Sequence, residues 1–206
     1  MRLWLLNIGD VTEADAAGLA RGFPGRMARC ARYRQTGDRL RCLGAALLLR
    51  AALGVEEESA LRYGAQGKPY LPGGPEFNLS HAGDWVALAA DDAPLGLDLE
   101  PLGRAQPAVA RRWFTEAERR WLEEDPAGRF ARVWTWKEAV GKATGRGLGL
   151  DPSRFEVLQL LRGAPLELEG QTWYPAPLGP AGLPQGYAFA LCAARLAEGV
   201  EVRRLR

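Results

Sequence analysis

Asp98 and Glu100 stand two residues apart in Leu95-Gly96-Leu97-Asp98-Leu99-Glu100, a stretch in which apolar and polar residues alternate. Period two is the signature of a β-strand with one buried face. It turns Leu95, Leu97 and Leu99 to a core and leaves Gly96, Asp98 and Glu100 on the opposite side. Side chains two apart on a strand are about 6.5–7 Å apart at Cα, so two carboxylates there can converge on one hard cation. Gly96 leaves room on that face for something to approach, and Pro101 ends the strand. Taken alone, such a pair also suits a solvated acidic edge.

Further groups with chemical potential lie on both sides of this strand. Downstream, Trp134-Thr135-Trp136-Lys137-Glu138-Ala139 leads to Lys142. Helical spacing puts positions 134, 138 and 142 on one face, with 137 and 141 beside them. Upstream, Arg26, Arg29 and Arg32 are three apart, forming either a solvated basic face or a grip on phosphate, and Arg41 can reach the same anion. Ser80-His81 is not a nucleophile–base pair, because neighbours on an extended chain point to opposite sides and no G-x-S-x-G elbow surrounds them. The lone His81 is a hydrogen-bonding group that can donate to a phosphate. Gly141-Lys142 is not a P-loop, since Trp136 stands where the first glycine belongs. Of the 27 Lys and Arg, only three are lysines (Lys68, Lys137, Lys142), the positions where a compact point charge is wanted.

The elements that must position these groups read as follows. Arg2–Ile8 is a short strand. Thr12 caps a helix to Ala20, Arg26–Arg34 forms a second helix, and Asp38–Leu53 forms a third that Gly54 closes. Gly64–Pro75 is a loop. Phe77–Ser80 and Trp85–Ala90 are strands, with Asn78 and Ser80 on the polar side, and Asp91-Asp92-Ala93-Pro94 makes a hairpin turn into the Asp98 strand. Beyond Pro101 the texture is helical: Pro107 opens one helix, Thr115-x-x-Glu118 is the capping box of another, and Asp125-Pro126 caps the one carrying Glu138. Strands follow around Phe155–Leu161, Leu166–Leu168, Thr172–Tyr174 and Tyr187–Ala194. Gly83–Ala90 faintly echoes Gly186–Ala194, which points to two similar halves joined near Pro101.

Composition bounds the classes. A chain of 206 residues can bury a sizeable core, and a net charge of +2 gives no argument for nucleic acid. The first 50 residues are rich in arginine and poor in acids, so their partners are anionic. Cys30, Cys42 and Cys192 make an odd set without CxxC spacing, which argues against a zinc site or disulfide framework and fits a reducing, cytoplasmic setting. No apolar run is long enough for a signal peptide or a membrane span.

Taken together, Phe77-Asn78-Leu79-Ser80-His81, Gly96-Leu97-Asp98-Leu99-Glu100 and Trp134-Thr135-Trp136-Lys137-Glu138-Ala139 with Lys142 resemble, in order and spacing, the 4′-phosphopantetheinyl transferases of the double-length, surfactin-synthetase-activating (Sfp) type. Gly67-Lys68-Pro69-Tyr70 fits as well, and the likeness extends from about Arg26 to Ala194. The resemblance implies an α+β fold of two similar halves related by pseudo-two-fold symmetry, residues 1–101 and 102–206, with the site in the cleft between them. It implies transfer of the phosphopantetheine arm of coenzyme A to a serine of an apo acyl or peptidyl carrier protein, releasing adenosine 3′,5′-bisphosphate, as in holo-acyl-carrier-protein synthases. By the same resemblance Asp98, Glu100 and Glu138 hold Mg²⁺. Arg26, Arg29, Arg41, Ser80 and His81 meet coenzyme A phosphates, Lys68 lies by the nucleotide, and Lys142 contacts the pyrophosphate. Relatives often carry lysines where Arg26 and Arg29 stand; the positive charge is kept.

The chemistry is coherent in itself. Displacement at phosphorus needs spreading negative charge neutralised, which carboxylate-held Mg²⁺ does. The incoming serine must lose a proton, to Glu138, to Asp98 or to a metal-bound water. Arg111, Arg112, Arg119 and Arg120 beside Trp113 and Phe114 form the expected docking surface for an acidic carrier, unless the aromatics belong to the core. The chain is expected to act as a monomer, an internal pseudo-dimer, away from membrane and nucleic acid. Two rival classes use the same residues: a metal-dependent hydrolase of a nucleotide pyrophosphate, and a non-catalytic coenzyme A or carrier-binding module.

Overall fold

A computed structural model describes residues 1–206, the Leu148 side chain excepted. It opens with β1 (Arg2–Asn7) and α1 (Glu13–Ala20). Thr12 and Asp15 each accept the other's backbone N–H, so the cap expected at Thr12 is reciprocal. α2 (Pro24–Arg32) has proline in its first turn and no side-chain cap of its own; Glu58 supplies one, accepting the Arg26 N–H at 3.0 Å. α3 (Thr36–Leu53) ends at Gly54, whose φ of 66° suits glycine. The loop that follows contains two short strands, β2 (Arg62–Tyr63) and β3 (Pro69–Tyr70). Next come β4 (Glu76–Ala82), β5 (Trp85–Asp91) and β6 (Leu95–Pro101).

The second part is helical before it is stranded. α4 (Pro107–Trp113) and α5 (Glu116–Leu122) precede α6 (Pro126–Ala143), and α7 (Leu158–Leu161) follows. Strands β7 (Leu166–Leu168), β8 (Gln171–Pro175), β9 (Tyr187–Ala193) and β10 (Glu201–Leu205) complete the chain. Among the described residues no helix is long and apolar enough to cross a membrane.

The fold is α+β, with two four-stranded sheets in the orders β10-β1-β5-β4 and β6-β9-β8-β7. Each sheet carries one 18-residue helix: α3 packs on β1 and β5, and α6 on β6 and β9. Alternation along the strands builds three apolar layers. Trp4, Leu6, Val86 and Leu88 meet α3. Leu3, Leu5, Ala87 and Ala89 meet Leu95, Leu97, Leu99 and Leu191 between the sheets. Ala190 and Cys192 pack with Val133, Ala139 and Val140 of α6.

Two expectations take a different form here, and one strand was not expected. β5 and β6 do not make a hairpin: β6 pairs antiparallel with β9, Asp98 opposite Ala190, so the Asp91–Pro94 turn carries the chain from one sheet to the other. Phe155–Leu161 is not a strand; Phe155 and Val157 enter the core ahead of the single turn α7, and Leu158 and Leu160 within it. β10, which sequence reading missed, returns beside β1 in parallel register.

Candidate active site

β4 and β6 lie side by side where the two sheets meet, and side chains rather than a backbone ladder join them. The Leu97 N–H donates to Asn78 Oδ1 at 2.8 Å. Lys142 Nζ donates to the Leu97 carbonyl at 3.2 Å, and Lys68 Nζ to the Leu95 carbonyl at 3.0 Å. A strand edge left open would expose these groups; here polar side chains from β4, α6 and the loop before β3 close it. Gly96 determines how near α6 can come. A Cβ at that position would stand 1.9 Å from the Ala139 carbonyl oxygen and 2.5 Å from the Ala143 nitrogen. The space predicted on this face is therefore taken by the backbone of α6.

Asp98 is 5 % exposed and sits under that helix. Its Oδ1 accepts from Ser80 Oγ at 2.7 Å and from Lys142 Nζ at 2.7 Å, and Lys142 also reaches Ser80 Oγ at 2.9 Å. Its Oδ2 is buried without a hydrogen-bond partner. Glu100 and Glu138 complete the acidic group. Burial, then the Asp98 charge and that of Glu138, push the Glu100 carboxyl up to about 7, against the pull of Lys142 and the Trp134 indole. Burial and Asp98 likewise raise Glu138. The face of positions 134, 138 and 142 thus looks onto the acidic strand. Among the described residues, no set of three His, Cys, Asp or Glu side chains stands preassembled as a metal cage.

Two basic cavities flank this centre. One of about 220 Å³ is lined by Gly67, Lys68, Asn78, Lys142, Gly145 and Gly147. Burial lowers the Lys68 ammonium from its usual range. The other, of about 240 Å³, is lined by Arg26, Arg29, Tyr33, Arg41, Cys42 and His81. Arg26 is 8 % exposed, and its Nε has no partner; it is not part of the solvated basic face that its spacing with Arg29 and Arg32 allows. Arg41 is anchored by the Gly83 carbonyl at 2.5 Å and by Asp38 at 2.6 Å. Burial, with Arg41 and Lys142 nearby, holds His81 below the ordinary imidazole range. Ser80 and His81 face opposite sides of β4, one toward Asp98 and the other toward α3, as alternation requires. A third space of about 190 Å³ reaches Glu100 past Gly83, Arg104, Gln106 and Phe130.

The family model of the 4′-phosphopantetheinyl transferase superfamily matches residues 94–192. The chain is 30% identical over 183 residues to the 4′-phosphopantetheinyl transferase Sfp of Bacillus subtilis, covering 83% of this chain and 81% of that protein. The chain belongs to the 4′-phosphopantetheinyl transferase superfamily. Two further members resemble it over shorter stretches. The psf-1 transferase of Bacillus pumilus is 36% identical over 151 residues (66% of this chain, 62% of the relative). The AcpT transferase of Salmonella typhimurium is 37% identical over 114 residues (50% and 56%).

Two features of this transferase-family chain depart from its sequence reading. Phe114 is no surface anchor: it is 1 % exposed and stacks on Phe130 and Trp134, at centroid distances of 5.3 and 6.5 Å. Trp113 stays partly buried with Arg112 over its ring, and Arg111, Arg112, Arg119 and Arg120 are exposed. The second feature is a buried ion pair, Lys137–Glu118, at 2.8 Å with neither side chain exposed. Lys137 Nζ also donates to the carbonyls of Pro152 at 2.7 Å and Phe155 at 2.8 Å. Glu118 accepts the amides of Thr115 and Val157. The capping box had accounted for one of those four contacts; the other three depend on residues distant in sequence. All three lysines thus bind backbone carbonyls, a role for which a compact ammonium suits better than the planar fork of arginine.

Proposed function

We propose that this chain moves the 4′-phosphopantetheine arm of coenzyme A onto a serine of an apo carrier protein, an activity of the holo-acyl-carrier-protein synthase class. The observation that carries the reading is the buried Asp98, with one oxygen held by Ser80 and Lys142 and the other free, flanked by Glu100 and Glu138. Two carboxyls, Glu100 and Glu138, driven toward protonation by burial and by the Asp98 charge beside them call for a cation.

The donor set fits magnesium: hard oxygen ligands, and a buried Asp98 Oδ2 that nothing in the protein satisfies. Asp98, Glu100 and Glu138 would hold the ion. When bound it supplies charge neutralisation at the pyrophosphate, where negative charge spreads during displacement. The rest falls to the chain's own groups. Arg26, Arg29, Arg41 and His81 bind phosphates in the 240 Å³ cavity, where the unpartnered Arg26 Nε is a ready donor. Lys68 lines the 220 Å³ cavity on the nucleotide side. Glu138, on the face of α6 that looks onto Asp98, takes the proton of the serine hydroxyl. The serine oxygen bonds to the phosphorus bearing pantetheine, the bond to the bridging oxygen breaks, and the Lys142 ammonium beside it offsets the charge of that leaving oxygen. Adenosine 3′,5′-bisphosphate departs.

The carrier would dock on the exposed arginines of α4 and α5, Arg111, Arg112 and Arg119, beside Trp113. An apolar space between Gln106, Ala110, Leu122 and Phe130 shares Gln106 and Phe130 with the space that reaches Glu100. Charge steers the acidic carrier there and the apolar contact holds it.

Intact-mass spectrometry on a panel of apo carriers, with coenzyme A and Mg²⁺, tests the reading. A mass gain of one phosphopantetheine, lost in Glu138→Gln, is the expected result. Release of the bisphosphate without a carrier would mean hydrolysis, and neither product would mean a binding module.

A further inference from the structure

Glu169 is the one non-glycine residue with positive φ among the described residues, at 52°. With Gly170 at φ 79° it forms the two-residue turn between β7 and β8, Leu168 opposite Gln171. Two successive positive φ values define the type I′ hairpin turn, where asparagine or glycine is favoured and glutamate is strained. The carboxylate at this strained position is engaged: Arg146 Nη1 lies 2.5 Å from both Oε1 and Oε2. Both partners are about half exposed, 48% and 52%. An ion pair that open contributes little to stability, and stability alone does not account for a glutamate at 169.

Arg146 sits in the segment after α6, between Gly145 (φ 70°) and Gly147 (φ 52°). Such a segment has little backbone stiffness of its own. Its backbone is tied to its neighbours in sequence, Gly145 N–H to the Lys142 carbonyl at 3.2 Å, Gly149 N–H to that of Arg146 at 2.9 Å and Leu150 N–H to that of Gly147 at 3.1 Å. The side-chain ties other than Glu169 are light: the Arg146 N–H reaches Thr144 Oγ1 at 3.4 Å and Nη2 the Gly149 carbonyl at 3.4 Å. Gly145 and Gly147 nevertheless line the same cavity as Gly67, Lys68 and Lys142.

We propose that the Arg146–Glu169 pair is a positioning latch for coenzyme A: it pins the glycine segment to the β7–β8 hairpin and so fixes the wall of the nucleotide cavity. Neither residue touches the reacting atoms, and the pair acts through Gly145 and Gly147. The inference rests on the reading of that cavity as the nucleotide subsite.

Glu169→Asn separates position from stability, because asparagine suits the turn and lacks the reach of the carboxylate. We expect KM for coenzyme A to rise about two- to five-fold, the effect of losing one exposed ion pair. The KM for the carrier and kcat stay level, and the unfolding temperature holds or rises. Arg146→Gln should raise KM for coenzyme A equally, and the double variant should add nothing further. An unchanged KM for coenzyme A, additive single effects, or a lowered unfolding temperature in Glu169→Asn overturns the latch. Lys68→Ala is the control. If it too leaves KM for coenzyme A unchanged, the cavity reading fails and the latch with it; if it raises KM while Glu169→Asn does not, the latch alone fails.

Discussion

The Ala139 carbonyl oxygen lies 1.9 Å from where a Cβ on Gly96 would stand. That contact sets the height of α6 over β6, and with it the reach of Lys142 to Asp98. Gly96→Ala should therefore lift the helix. We expect a loss of about 1–3 kcal/mol in urea unfolding, typical of overpacking, with transferase activity falling further than stability explains. An active, equally stable variant would show that the approach of the helix is not what aligns the acids.

Glu100 gives a dependence on pH. Its carboxyl is held up to about 7 in the folded chain against 4.5 in the ordinary range, chiefly by burial. Between those values the folded state binds more protons than the unfolded state, so stability falls as pH rises through that window. Glu100→Gln removes the penalty. Without divalent metal it should raise the unfolding temperature at pH 8 and change it little at pH 4, while abolishing transfer.

A divalent cation should oppose the same penalty. Adding Mg²⁺ should raise the unfolding temperature of the native chain, more at pH 8 than at pH 6, because protons and metal compete for Glu100 and Glu138. Chelation should reverse the gain, and Asp98→Asn should abolish it. A shift of equal size at both pH values would separate the metal from these carboxyls.

The Lys137–Glu118 pair predicts an asymmetry. Glu118→Ala leaves a buried ammonium without its counter-charge and strands the amides of Thr115 and Val157, so a loss of about 3–5 kcal/mol is expected. Lys137→Met leaves Glu118 with both amides and strands only the carbonyls of Pro152 and Phe155, which tolerate a missing partner better than N–H groups do, so it should cost less. Urea unfolding of the two variants decides; equal losses would mean that the stranded amides cost no more than the stranded carbonyls.

Phe114 and Trp113 separate core from surface. Phe114→Ala should destabilise by about 3–5 kcal/mol, as expected for a buried phenylalanine, with the KM for carrier following only through misfolding. Trp113→Ala should raise KM for the carrier with little change in unfolding temperature. The reverse pattern would move the docking surface elsewhere.

Much of the site was legible because short-range rules govern it. Period two placed Asp98 and Glu100 on one face, helical spacing placed Trp134, Glu138 and Lys142 on another, and caps at Thr12, Thr115 and Asp125 marked helix starts. What escaped depends on contacts between distant segments. Nothing local says that Leu95–Pro101 pairs with Tyr187–Ala193 rather than with its neighbour β5. Nor does spacing tell that Arg26 turns inward while Arg32 stays exposed, or that Phe114 stacks on Phe130. Arg146 and Glu169 carry no motif; only the folded hairpin brings them together.

β10 returns to β1 in the first sheet, whereas β6 joins β9 in the second. Severing the polypeptide in the middle would therefore rob both fragments: one would lack its outermost parallel strand, the other the strand bearing Asp98. Complementation from two separately produced pieces requires each to lend the other a ribbon, so reassembly and activity should return together.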